Sequence, residues 1–381
     1  MKRLLSIILL FVLISPVSAS PEDEGVYKGL SNFTKVLDLI ERNYVDKVDS
    51  EELTNNAIEG MLKTLDPYSA YLSPERYKEL EIGTSGEFGG VGMEVAVENG
   101  VLKVISPIEG SPADIAGVKP GDLITEIDGK STRGMVVYDA VKLLRGPKGS
   151  NVTITLTREG EGSRDITLTR DVIHIKSVRY KLLDDGIGYI KVSQFQENVS
   201  DELTDALSKL ELDNGGSLRG LVLDLRNNPG GLLDEAIKIT DEFIDKGLIV
   251  SVRGRTSDQS KEYYATKGES KRDLSLVVLV NKGSASASEV VAEALQDSNR
   301  ATIVGSKTFG KGSVQTIIQL DDGSGLKLTT AKFYAPSGRS ISDVGVTPDI
   351  IVEDDEHADV QIKRAVEILK LSDVSNTVPR G

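Results

Sequence analysis

The sequence predicts an α/β (α+β) protein of several domains, and three patterns carry that prediction. Apolar residues recur at helical spacing over 28–64. Short alternating runs cut by glycine turns fill 83–171. From 172 onward, helical patterns alternate with continuous apolar runs. Such continuous runs mark strands covered on both faces, hence an α/β core with a partly parallel sheet. The expected boundaries are a leader at 1–19, a helical region at 20–82, a β-rich unit at 83–171, a core at 172–356, and a closing helix and tail at 357–381.

In the helical region Phe33, Val36, Leu37, Leu39, Ile40 and Tyr44 recur at helical spacing. Leu53, Ala57, Ile58, Met61 and Leu62 do so after the cap-like Asp49-Ser50-Glu51-Glu52. Ser73 followed by Pro74 starts a short helix through Leu80. The β-rich unit opens with strands at 91–97 and 101–105 around Glu98-Asn99-Gly100, a hairpin signal. Ser111-Pro112-Ala113 begins a brief helix ending near Gly117, and Pro120-Gly121-Asp122 and Asp128-Gly129 are turns around the strand 123–127. A helix at 137–144 and strands at 151–158 and 163–170 complete the unit. The core reads as strand 187–192, helix 201–210, strand 220–225, helix 232–243, strand 274–280, helix 288–296 and a late strand 326–333, before a last helix at 357–371.

Composition narrows the chemistry. The formal charge is −14 and no basic stripe offsets it, which argues against nucleic acid as a partner. The absence of cysteine removes Cys–His catalysis, lipidation and disulfides. The two histidines, His174 and His357, have no acidic cluster at ligand spacing, so neither a metal nor a cofactor is expected. Lys2-Arg3, the apolar run 4–14 and the small residues Val17-Ser18-Ala19 read as a cleavable export signal. That run is short for a membrane span, although an uncleaved anchor is the alternative; the expected location is periplasmic or otherwise extracytoplasmic.

Phe88-Gly89-Gly90-Val91-Gly92-Met93-Glu94-Val95 sets a glycine-rich turn directly before a strand, where converging backbone N–H groups can hold a carboxylate and the strand can pair with an extended peptide. With Ser111-Pro112-Ala113, Ala116-Gly117, Lys119-Pro120-Gly121-Asp122 and Glu126-Ile127-Asp128-Gly129, the unit resembles a PDZ domain. By that resemblance Gly90, Val91 and Gly92 bind a C-terminal carboxylate, and Met93, Val95, Val141 and Leu144 line a pocket for the last side chain. The plainer reading is a tight turn and a small core.

Two segments carry the catalytic signal: Gly283-Ser284-Ala285-Ser286-Ala287-Ser288-Glu289 and Phe309-Gly310-Lys311-Gly312-Ser313-Val314-Gln315. A serine needs a base, and lysine can serve only when burial keeps it neutral. Phe309 is expected to supply apolar cover for Lys311, and the flanking glycines let the backbone pack close; Lys282 and Lys307 are rivals at element ends. Ser286 with Glu289 fits a capping box, and Ser284 and Ser288 are the alternative nucleophiles. Asp224-Leu225-Arg226-Asn227-Asn228-Pro229-Gly230-Gly231 leads from a strand through two glycines into a helix, which can expose amides to an oxyanion or simply make a helix-entry turn. Ser324-Gly325-Leu326-Lys327 matches a Ser-x-x-Lys pattern by chance, since it straddles a turn and a strand.

The two segments resemble the catalytic core of the C-terminal processing, or tail-specific, proteases, and the resemblance extends over nearly the whole chain past the leader. It implies a crotonase/Clp-like α/β serine protease core with Ser286 as nucleophile, Lys311 as general base 25 residues on, and Gln315 as the partner that orients the lysine. It implies an oxyanion hole from the Ala287 amide and Gly230, with Gly231 as rival. It further implies protein substrates with flexible apolar C-termini, a helical-repeat adaptor in some members, and a PDZ domain that could gate the site, with Arg145 as a candidate relay. Amphipathic helices at both ends suggest a homodimer. The competing classes are a crotonase-like thioester enzyme, which needs a carboxylate pair not visible here; a non-catalytic binder of exported C-termini; and a trypsin-like protease, disfavoured by where the histidines fall.

Overall fold

The computed structural model describes residues 21–98, 100–268, 274–342, 344–353 and 359–376. The expected leader and His357 lie outside them. The chain divides into two compact units, 1–71 and 72–381.

The first unit holds the helices Pro21–Asn43 and Ser50–Lys63. The second of these begins where Asp49 Oδ1 accepts from the amides of Glu51 (2.9 Å) and Glu52 (3.1 Å), satisfying donors that a helix start leaves open.

The second unit starts with the helix Pro74–Ser85. It runs beyond the expected stop at Leu80 and ends on Gly86, whose φ of 72° is the left-handed cap that glycine adopts without strain. The β-rich part is a sheet in the order Met93–Glu98, Val101–Pro107, Leu123–Ile127, Asn151–Arg158, Gly162–Thr169, so Met93–Glu98 is an edge strand. Leu102, Val104, Ile124, Ile127, Ile154 and Leu156 fill its core together with Ala140 and Leu144 of the helix Val137–Leu144. A short pair, Glu87–Gly90 with Asp171–His174, closes the neck of this part; the sequence reading assigned no strand to either segment.

The remainder is built on a six-stranded sheet in the order Val178–Leu183, Ile187–Val192, Gly220–Asp224, Ser275–Val280, Thr302–Gly305, Ile350–Ile351, parallel except for its first pair. Alternate residues of the apolar strands feed two different cores. Leu221, Leu223, Leu276, Val278 and Val280 face the helices Val199–Asp213, Leu233–Asp241 and Ala287–Asp297, whereas Val222, Val277 and Leu279 meet Ala365 and Leu369 of the helix Val360–Asn376. This two-sided burial is why the strands read as unbroken apolar runs. A second sheet pairs Gly325–Tyr334 with Ser313–Gln319 on one side and with Leu248–Gly254 on the other, which in turn pairs with Lys261–Tyr264. Several of these strands were not expected: Thr302–Gly305 and Ile350–Ile351 are too short for a period to show, and their strand state comes from their neighbours.

Candidate active site

Gly220–Asp224, Ser275–Val280 and Thr302–Gly305 are adjacent parallel strands, and each releases a loop at its carboxyl end: 225–232, 281–286 and 306–312. The two candidate catalytic segments and the candidate oxyanion loop therefore converge on one edge of the sheet, the edge at which open α/β sheets present their sites.

Ser286 stands at the start of the helix Ala287–Asp297 with φ 55° and ψ −115°, an uncommon conformation for a residue with a side chain. The two rival serines are occupied. Ser284 Oγ donates to the Leu225 carbonyl (2.8 Å) and accepts from the Asn281 amide (3.0 Å), while Ser288 Oγ donates to the Asn228 carbonyl (2.9 Å). Both are wholly buried, and they serve as struts that fasten the serine segment to the loop 225–232.

Glu289 joins the serine and lysine segments. Its fully buried carboxylate accepts from the Ser286 amide (2.7 Å) and the Lys311 amide (2.9 Å) on Oε2, and from the Gly310 amide (2.7 Å) and Thr308 Oγ1 (2.5 Å) on Oε1. The sequence suggested the helix-capping bond to Ser286. It gave no sign of the three bonds to 308–311, because they require a neighbouring strand to deliver that loop. Asn228 plays a similar role on the other side. Its Oδ1 accepts from Gly230 N (2.9 Å), its Nδ2 donates to the Val192 carbonyl (3.0 Å), and its carbonyl accepts from Ala285 N (3.0 Å). Asn227 and Asn281 add a reciprocal pair between the same loops: Asn227 N donates to Asn281 Oδ1 (2.9 Å) and Asn281 Nδ2 to Asn227 Oδ1 (3.0 Å).

Burial holds the Lys311 ammonium below the ordinary lysine pKa; the positive charge of Lys327 pushes in the same direction, and Glu289 opposes them. The expected cover from Phe309 is not there. That ring is 60% exposed, turned outward by a loop whose own amide is bonded to the Ser284 carbonyl. The lysine loop instead packs on the segment after Tyr334: a side chain on Gly312 would meet Ser342 N at 2.2 Å, and Thr308 exchanges bonds with Val346. Arg339 anchors that segment to Asp297 (3.0 Å) and Glu293 (2.5 Å) on the serine helix. Gln315 lies at the start of the next strand, where Nε2 donates to Ser313 Oγ (2.8 Å) and, more weakly, to Thr329 Oγ1 (3.4 Å).

Gly230 and Gly231 have φ values of 101° and 142°, in the range that favours glycine. A side chain on Gly230 would lie 2.8 Å from Ser286 Cβ and 2.9 Å from Ala287 N, so this loop rests directly against the serine. The Gly230 N–H is bonded within its own loop to Asn228. Among the described residues the Gly231 and Ala287 amides have no hydrogen-bond partner, Ala287 being the first residue of its helix. Gly230→Ala is expected to lower turnover at this site by about 100-fold with a smaller change in KM, because the added carbon displaces the serine segment.

In the β-rich part, Gly90, Val91, Gly92, Met93, Val95, Val141, Leu144 and Arg145, with Phe88 and Glu94, line one cavity of about 220 Å³ between the edge strand and the helix Val137–Leu144. The turn is held from behind: Ala113 N bonds the Val91 carbonyl (2.9 Å), and Ser111 Oγ bonds the Gly92 carbonyl (2.7 Å). The Arg145 guanidinium stacks over the Phe88 ring, 4.5 Å from its centre, at the rim of this cavity. The exposed His174 side chain meets Glu87 (3.0 Å) across the pair Glu87–Gly90 and Asp171–His174, and His174 lines neither the cavity nor the loops at the sheet edge. The Ser324 hydroxyl is bonded to Asp322, so the Ser-x-x-Lys match does not form a pair.

Comparison with known proteins gives three family matches: peptidase family S41 over residues 186–352, a PDZ domain over 103–158, and the activating protease CtpB N-terminal domain over 15–76. A carboxy-terminal-processing protease of Bartonella bacilliformis is 46% identical, covering 90% of this chain and 79% of that protein. A protein of Staphylococcus aureus strain COL described as a probable CtpA-like serine protease is 41% identical over 90% of this chain and 69% of its own length. Among solved structures, the photosystem II D1 C-terminal processing protease is 34% identical, covers 84% of this chain and 92% of that chain, and superposes with a TM-score of 0.48.

Proposed function

The chain belongs to the C-terminal processing proteases, serine peptidases of family S41, and on that premise we propose that it cleaves exported proteins near flexible apolar C-termini with Ser286 as nucleophile and Lys311 as general base. The observation that carries this reading is the Glu289 carboxylate bonded to the amides of both residues, which fixes their segments to one buried anchor. Uncharged Lys311 Nζ takes the Ser286 hydroxyl proton as Oγ attacks the scissile carbonyl. The ammonium so formed then protonates the leaving amine, and water hydrolyses the acyl-enzyme by the same proton path. Ala287 and the Gly230-Gly231 pair supply the oxyanion donors, with Gly231 better suited while Gly230 is bonded to Asn228. Gln315 orients the lysine loop through Ser313.

The cavity at Gly90–Val95 takes the substrate's C-terminal residue, its edge strand pairing with the peptide backbone. Arg145, stacked on Phe88 at the rim, is the residue through which occupancy would be relayed. Export follows from the residue pattern at 1–19, and among the described residues no helix is long and apolar enough to cross a membrane. Leu30, Phe33, Val36 and Leu39 lie exposed on the helix Pro21–Asn43, which supports a homodimer; a helical-repeat adaptor is a further partner of this class.

The test is incubation of the mature chain with a disordered protein ending in apolar residues, and with the same protein ending in acidic ones, reading fragments by mass spectrometry. Cleavage of the first at least about tenfold faster than the second is expected, a ratio in keeping with an apolar pocket. Binding of the apolar tail without any fragment would replace this reading by that of a non-catalytic binder.

A further inference from the structure

Ser286 opens a helix whose later acidic residues take a second hold on the lysine loop, by a longer route than Glu289. Glu289, Glu293 and Asp297 are spaced four residues apart and so lie along one face of the helix Ala287–Asp297. Glu289 accepts directly from the lysine loop. Glu293, which is 4% exposed, and Asp297 instead share one guanidinium nitrogen, Arg339 Nη2, at 2.5 Å and 3.0 Å. Asp297 also accepts from the Ser337 amide (2.9 Å), and Arg339 Nε donates to Ser337 Oγ (3.2 Å). The turn that carries these residues closes on itself, the Ala335 amide donating to the Arg339 carbonyl (2.9 Å). The chain on both sides of that turn holds the lysine loop. Before it, the Phe333 amide donates to the Gly312 carbonyl (2.8 Å). After it, Ser342 N stands where a side chain on Gly312 would be, and Val346 N donates to Thr308 Oγ1 (2.7 Å) while Thr308 N donates to the Val346 carbonyl (3.1 Å). Thr308 and Gly312 bracket Lys311 in the chain.

We propose that Arg339 is a positioning residue for the general base: by fastening the segment after Tyr334 to Glu293 and Asp297, it sets where the lysine loop stands relative to the Ser286 that opens the same helix. The loop is then held from two sides, by Glu289 within the site and by this segment behind it. An ion pair at a protein surface ordinarily contributes little. This one differs in that Glu293 is buried, so removing its cation leaves a charge with no water to turn to. The cation itself is reachable, since the Arg339 side chain is 60% exposed. Arg339 touches no reacting atom, and its effect is expected in the alignment of the lysine with the serine, which turnover reads, rather than in substrate capture. The proposal rests on the Ser286–Lys311 assignment.

The test compares kcat and KM for a peptide substrate in wild type, Arg339→Ala, the pair Glu293→Gln with Asp297→Asn, all three substitutions together, and Ser286→Ala. Each is checked for fold by circular dichroism. Arg339→Ala is expected to lower kcat about tenfold or more while KM stays within about twofold. The carboxylate pair breaks the same tie from its other end, so it is expected to lose a similar factor, and the triple variant to lose no more than either. Added methylguanidinium is expected to restore turnover in Arg339→Ala, where the two carboxylates still wait for it, and to do nothing for wild type or the triple variant. Arg339→Ala alone keeps the proposal falsifiable should the carboxylate variants not fold, because its side chain is largely exposed. Unchanged kcat in Arg339→Ala, a loss confined to KM, or a loss that methylguanidinium leaves untouched overturns the proposal. Undiminished cleavage by Ser286→Ala would instead overturn the underlying site assignment, so the two failures are distinguishable.

Discussion

Ser286→Ala and Lys311→Ala are each expected to lower kcat for peptide hydrolysis by at least about 1,000-fold, and the double variant is expected to be no worse than either. The two side chains act as a unit, since without the base the hydroxyl keeps its proton, and without the hydroxyl the base has nothing to activate. KM is expected to change little, because the proposed function assigns substrate capture to the edge strand and the cavity at Gly90–Val95. The pH dependence follows from the direction of the Lys311 shift. Burial lowers its pKa and the neutral amine is the working form, so activity rises with pH through a limb below the ordinary lysine range. Lys311→Arg, charged at every accessible pH, is expected to be inactive throughout. Stopped-assay kinetics from pH 6 to 10 check these expectations; retained turnover in Lys311→Ala would place the base elsewhere.

Glu289→Gln is expected to be nearly as damaging as Glu289→Ala, despite matching the native shape. Every neighbour of this side chain donates: the amides of Ser286, Gly310 and Lys311, and the Thr308 hydroxyl. A carboxylate accepts on both oxygens, whereas an amide presents one oxygen and turns its NH2 group on two of the donors. Each buried donor left unpaired costs about 1–3 kcal/mol, so either substitution is expected to destabilise the protein by roughly 2–4 kcal/mol after local relaxation. Activity is expected to fall about 100-fold or more even well below the melting temperature, because the serine and lysine segments lose their common anchor. Thermal unfolding and single-turnover hydrolysis, measured together, check this. Wild-type kcat in a stable Glu289→Gln variant would show that the anchor is dispensable.

The sequence by itself determined the elements whose information is local. The apolar runs at 220–225 and 274–280 declared a sheet covered on both faces, the Ser73-Pro74 pair declared a helix start, and the alternating β-rich stretch declared its strands and turns. Resemblance supplied Ser286, Lys311 and the residues around Gly90–Val95; in the fold the first two lie on segments that share Glu289, and the others line one cavity. Tertiary structure alone decided what surrounds them. Thr302–Gly305 is a strand because Ser275–Val280 pairs with it, and that pairing carries the lysine loop to Glu289. The hydrogen bonds of Ser284 and Ser288 were likewise decided across the sheet edge, by carbonyls of Leu225 and Asn228 about sixty residues away. Phe309 reads as cover in the sequence and stands exposed in the fold. Periodicity and caps are written between residues a few positions apart, so a chain reveals them directly. A shared carboxylate or a neighbouring charge depends on which strands become adjacent, and that is set by the packing of the whole core.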